Sequence, residues 1–297
     1  MAWPASACRG GLARLTCWAG WGLALAAPAG SWAQTAPSQP ASAASVAGSA
    51  PAHGASHPAV GASAPAGPAH AAHAARATEP VELHHRIVLH GAQDPRVALT
   101  LDACSGHYDA ELVDFLIAQR IPATLFLTKK WLDHNPVGLA VLKAHPELFD
   151  LENHGEQHIP AVIGQGRKVY GIPGEPDVLH LRNEVRNGAL AVEQATGVPP
   201  HWYRGATAEY DEAAAEEIRR MGYRIAGFSV NADAGATLPQ AAIEARLRHV
   251  KSGDIILAHM NKPQSQTAEG LRPGLLALLK QGFRFVRLDQ VEVEPAP

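Results

Sequence analysis

From Val81 onward the chain alternates short apolar runs with stretches of helical period, and no hairpin turn joins one run to the next. Strands that follow one another without hairpins need crossovers, and crossovers of a dozen or more residues set strands side by side in parallel. The runs are RVALTLD at 96–102, PATLFLTKKWL at 122–132, LFDLENHG at 148–155, WYRGA at 202–206, YRIAGFSV at 223–230, DIILAHM at 254–260 and FRFVRL at 283–288. Helical spacing is read after Asp109, where Leu112, Phe115, Leu116 and Gln119 recur, and again over 136–145, 178–195, 211–221, 240–250 and 269–281. The expected fold is an α/β domain built as a barrel of about seven parallel strands.

This pattern does not fill the 297 residues. Residues 1–33 read as an export signal: Arg9 and Arg14 lead, the apolar stretch LTCWAGWGLALAAPAG follows, and Ser31-Trp32-Ala33 has the small-x-small form of a cleavage site. A retained membrane anchor is the competing reading. Residues 34–80 are mostly Ala, Pro, Ser, Gly and His, too poor in large apolar side chains to offset the entropy of ordering, so a disordered tether is expected. Its His53, His57, His70 and His73 could bind metal only loosely. The folded domain is then 81–297, periplasmic or extracellular, with no stable membrane insertion after signal cleavage. A net charge of -3 offers no basic surface for nucleic acid. Three cysteines are too few for a disulfide framework, and Cys8 and Cys17 fall in the signal, which leaves Cys104 beside an acidic loop.

Nearly every run ends in a group that can do chemistry. Asp102 follows the first, His154 and His158 the third, Arg204 the fourth, Asp233 the fifth and His259 the sixth. In parallel α/β folds the carboxyl ends of strands share one rim, where ligands bind. His154 and His158 stand at i, i+4, which on a helical turn puts both imidazoles on one face, as a divalent metal requires. Glu156 lies about 200° around such a helix from His154 and points away from that metal, which argues against a metalloprotease arrangement. A strand-end histidine, an arginine paired with a helix carboxylate and an aspartate capping the helix near Leu238 are the structural alternatives for these residues.

The wording of these segments resembles the polysaccharide deacetylase family, the NodB homology domain of carbohydrate esterase family 4. Thr100-Leu101-Asp102-Ala103 stands where the family has Thr-Phe-Asp-Asp, and His154-Gly155-Glu156-Gln157-His158 where it has His-(Ser/Thr)-x-x-His. Tyr203-Arg204-Gly205 resembles the arginine motif without its prolines, Asn231-Ala232-Asp233 stands where the family has an aspartate partnering that arginine, and Leu257-Ala258-His259 resembles the final leucine-histidine motif. The resemblance implies a distorted β/α barrel that hydrolyses N-acetyl groups on an amino-sugar polymer. It implies a divalent cation, most simply zinc, on His154 and His158, a carboxylate base, an aspartate-orienting Arg204 and His259 as the acid for the leaving nitrogen. Ala103 departs from the pattern where the family has a ligand carboxylate. Asp102 is expected to be essential as ligand or base, with Asp109 or Cys104 as other sources of a third ligand. The alternatives are an inactive glycan-binding barrel using Tyr108, Trp131, Trp202 and Tyr210 as stacking surfaces, an amidase for non-sugar substrates, and a structural protein without metal.

Overall fold

The computed structural model describes residues 78–296. The expected signal, nearly all of the tether with its histidines, and Cys8 and Cys17 lie outside the described residues.

Eight parallel strands form the wall: β1 (Arg96–Ala103), β2 (Ala123–Leu127), β3 (Phe149–Asn153), β4 (Trp202–Tyr203), β5 (Arg224–Ile225), β6 (Val230–Asn231), β7 (Ile255–His259) and β8 (Arg284–Val286). The order is β5-β4-β3-β2-β1-β7-β6, with β8 also paired to β1. Between β5 and β6 the chain stays in the wall. Ala226 N donates to Tyr203 O at 2.9 Å and Ser229 N to Ile255 O at 2.9 Å, so one extended segment pairs first with β4 and then with β7 and closes a distorted barrel.

The apolar runs are continuous because both faces are covered. Every residue of β1 is buried. Val97, Leu99, Leu101 and Ala103 join the layer that meets the helices, whereas Ala98 packs inside with Phe126, Trp202, Ala226, Phe228, Ile255 and Leu257. The helices are α1 (Ala110–Ala118), α2 (Lys129–His134), α3 (Pro136–Lys143), α4 (Val178–Thr196), α5 (Glu212–Arg220), α6 (Gln240–Leu247) and α7 (Thr267–Lys280). Asp109 starts α1 by accepting from Leu112 N at 3.0 Å, and Gly197, at φ 81, ends α4 in the left-handed conformation that suits a C-cap.

The local reading fails in two places. Residues 129–132, expected to extend β2, begin α2, because Thr128 Oγ1 accepts from Trp131 N at 3.0 Å and caps a helix instead. Antiparallel pairing also occurs at the edges. Lys168–Val169 and Ile172–Pro173 form a hairpin, Val81–Glu82 pairs with Ala206–Tyr210, and Val293–Pro295 pairs with His85–Ile87. The hairpin escapes a sequence reading because Tyr170 holds one of its positive-φ turn positions, at φ 50, where an asparagine or glycine would have announced the turn.

Among the described residues no helix is long and apolar enough to cross a membrane.

Candidate active site

The strand ends meet in register. His259 is the lateral partner of Asp102, Ala103 of Leu127, Leu127 of Asn153, and Asn153 of Tyr203, so residues far apart in sequence occupy one layer of the rim. Above this layer opens a cleft of about 480 Å³ lined by Asp102, Cys104, His158, Tyr170, Thr207, His259 and Asn261, among others.

Asp102 is nearly buried, at 4% exposure, and is held by Arg204, which is wholly buried. Arg204 Nη1 donates to Asp102 Oδ1 and to Thr100 Oγ1, both at 2.9 Å, while Nε reaches Ala226 O at 3.1 Å and Nη2 reaches Gly227 O at 3.3 Å. Burial alone would raise the Asp102 pKa, but Arg204, with His154 and His259, carries it below the usual carboxylate value.

His154 follows β3 and its Nδ1 donates to Arg204 O at 2.6 Å, which leaves Nε2 as the ring nitrogen that faces the cleft. His158 comes alongside, ring centroids 4.9 Å apart, but not on a helical turn as the spacing suggests. Gly155 at φ 88 and His158 at φ 64 fold the segment back as an irregular loop. Its organiser is Glu184 on α4, whose carboxylate accepts from the main-chain N–H groups of Gln157, His158 and Ile159 at 2.8–3.2 Å. A side chain at Gly155 would overlap that carboxylate, which explains glycine at the position where the family has serine or threonine. Glu156 turns away, accepting from Asn187 Nδ2 at 2.7 Å.

Asp233 does not partner Arg204. Its Oδ1 accepts from His259 Nδ1 at 2.9 Å, and its Oδ2 from His259 N at 2.9 Å and Thr267 Oγ1 at 3.0 Å. The reason is strand order: Asp233 follows β6, whose neighbour is β7 and its terminal His259, whereas Arg204 reaches across the barrel to β1. Burial opposes a charged imidazole at His259, yet Asp233 and Cys104 raise its pKa well above the ordinary value.

Cys104, half-buried, lies with Sγ 3.5 Å from His154 Nε2, and one donor atom from each of Cys104, His154 and His158 falls within 4.8 Å of the others. Burial pushes this thiol up, but the imidazoles of His154, His158 and His259 pull it well below its usual value. This donor set suits a divalent metal of the zinc type. Asp109 is absent from the cluster, because its carboxylate is spent on capping α1.

The aromatic residues expected to stack on sugar are largely sealed in. Trp131, Trp202 and Tyr210 are 0%, 3% and 1% exposed, and Tyr108 packs edge-on to Trp131. Tyr170, 74% exposed at the hairpin tip, is the aromatic that the cleft offers instead. Sequence reasoning also missed Glu184, Thr267, Thr207 and Asn261. Glu184 and Thr267 read as ordinary helix residues, and Thr207 Oγ1 and Asn261 Oδ1 are buried without a hydrogen-bond partner among the described residues.

A parallel barrel whose rim holds an arginine-bound carboxylate, a histidine cluster and a carboxylate–histidine pair is a candidate hydrolase site. Residues 90–226 match the family model for polysaccharide deacetylase, which supports a NodB homology domain of carbohydrate esterase family 4 in this part of the chain. The match stops before Asp233 and His259, whose places rest on the three-dimensional structure. A peptidoglycan-N-acetylglucosamine deacetylase from Bacillus cereus is 25% identical over 201 residues, covering 66% of this chain and 87% of the relative. Two solved structures share the fold. One is a mutant of a carbohydrate esterase family 4 pseudoenzyme with restored enzymatic activity, at TM-score 0.54 and 18% identity, covering 68% of each chain. The other is a family 4 acetyl xylan esterase from Clostridium thermocellum with a cobalt ion, at TM-score 0.53 and 18% identity, covering 66% of this chain and 89% of that one.

Proposed function

We propose that this protein is an exported, metal-dependent hydrolase that removes N-acetyl groups from an amino-sugar polymer of the peptidoglycan or chitin type. The observation that carries the reading is the convergence, on one cleft, of the Asp102–Arg204 pair, the His154–His158 pair and the His259–Asp233 pair. When bound at His154 and His158, a divalent cation, most simply zinc, supplies Lewis-acid activation of the amide carbonyl. Asp102, kept ionised by Arg204, is placed to take the proton of the attacking water. His259, oriented through Nδ1 by Asp233, keeps Nε2 for delivering a proton to the departing nitrogen, a step that matters because amines leave poorly. Water adds to the carbonyl carbon, the C–N bond breaks, and acetate and a free amine result. Thr207 Oγ1 and Asn261 Oδ1 are polar groups for the substrate to satisfy, and Tyr170 is a surface against which a sugar ring can lie. Export is supported by the form of residues 1–33.

The test is acetate release by the purified protein from chitin oligomers and from peptidoglycan. Release should stop on chelation, and Asp102→Asn should lower turnover by about 10²–10⁴-fold. Binding of either polymer with no acetate released under metal supplementation refutes the hydrolase and leaves an inactive glycan-binding barrel.

A further inference from the structure

Two imidazoles make an incomplete seat for a cation, since catalytic zinc sites take three protein ligands. The neighbouring donors have other engagements. Asp102 Oδ2 is 3.7 Å from His154 Nε2, but Oδ1 is fixed on Arg204. His259 is turned onto Asp233, and Asp109 caps α1. Ala103, where the family pattern carries a carboxylate, sits in the buried layer with Leu99 and Leu101.

Cys104 is the first residue past β1, free of the strand's alternation, and its side chain turns to His154. Thr128 Oγ1 donates to the main-chain carbonyls of Ala103 and Cys104 and pins this turn. Tetrahedral ligands at zinc distances stand about 3.5 Å apart. The separation of Cys104 Sγ from His154 Nε2 is 3.5 Å, and the triad with His158 closes within 4.8 Å. The hydrogen bond from His154 Nδ1 to Arg204 O already fixes the tautomer that a ligand needs.

Resting on the metal-dependent reading above, we propose that the Cys104 thiolate is the third protein ligand of the site and takes over from the missing carboxylate at position 103. As the sulfur–metal bond forms, the thiol proton is released to solvent. Asp102 is thereby left to proton transfer. A sulfur ligand also shifts the preference toward zinc and cobalt and away from magnesium.

The experiment loads the full chain with Co²⁺ and records its absorption. Coordination by Cys104 gives a sulfur-to-cobalt charge-transfer band in the near ultraviolet together with the visible ligand-field bands. Cys104→Ser removes the first, keeps the second and weakens zinc binding by at least about tenfold. On the unsubstituted chain, one equivalent of Zn²⁺ should shield Cys104 from iodoacetamide, read by peptide mass spectrometry, so the result does not depend on the variant folding. One equivalent of bound cobalt without the charge-transfer band, or alkylation of Cys104 undiminished by bound zinc, overturns the ligand assignment and leaves the hydrolase standing. Failure to bind either metal overturns both.

Discussion

Arg204 joins three parts of the barrel through one guanidinium. It binds Thr100 and Asp102 on β1, donates to two carbonyls of the segment that closes the ring, and lies 4.3 Å over the Phe126 ring of β2. A buried ion pair adds little net stability, but removing one partner strands the other without solvent. Arg204→Met should therefore destabilise the domain by about 3–5 kcal/mol in denaturant unfolding, and the double variant with Asp102→Asn should recover part of that loss. A cost below about 1 kcal/mol would place this pair among weak surface contacts. The sequence marked Arg204 and Asp102 as strand-end polar residues and the family resemblance implied that the arginine orients an aspartate, but their facing positions across the barrel decided that this aspartate is Asp102 and not Asp233.

Helix α4 is the element that shapes the loop of His154 and His158. Gly188 lets the helix approach so closely that a methyl there would overlap Asn153 Oδ1 and the Gly155 main chain, and Glu184 one turn earlier gathers three loop N–H groups. Gly188→Ala should cost about 1–3 kcal/mol and weaken zinc binding measured by calorimetry, because the loop that carries His154 and His158 must shift. Leu190→Ala, on the exposed side of the same helix, should change stability by less than about 0.5 kcal/mol and leave zinc affinity unaltered. Helical period and the Asp177 cap made α4 legible in the sequence. Its contact with a loop 30 or so residues earlier was not, since Glu184 carries no local sign of facing inward.

At the scale of the whole molecule, five carboxylates among the described residues are raised, each chiefly by burial: Asp109 and Glu184, and with larger shifts Asp150 to about 6, Glu175 to about 7 and Glu152 to about 8. The native state therefore holds protons that the unfolded chain has lost, so their contribution is complete below about pH 4, where the unfolded carboxylates are protonated, and is lost as pH rises through these raised values. Melting temperature should fall between pH 5 and pH 8. Glu152→Gln, which keeps an oxygen for the N–H groups of His201 and Trp202, should flatten that fall by about 3 °C or more. An equal slope in the variant would show that Glu152 stays ionised. Metal acts in the opposite sense: zinc at about a hundred times its dissociation constant should stabilise the fold by about 2.7 kcal/mol, seen as a higher melting temperature that chelation reverses.

Local pattern determined the parallel strands of the wall, most of the helices and the presence of Asp102, His154, His158, Arg204 and His259 at strand ends, because apolar period and capping are properties of neighbouring residues. The partnerships were settled by strand order and register: Asp233 with His259, Asp102 with Arg204, Cys104 into the histidine cluster and Asp109 out of it. The same packing buried the expected stacking aromatics and left Tyr170 beside the cleft. Contacts of this kind depend on which strands lie side by side once the barrel has closed, and no stretch of neighbouring residues encodes that distance.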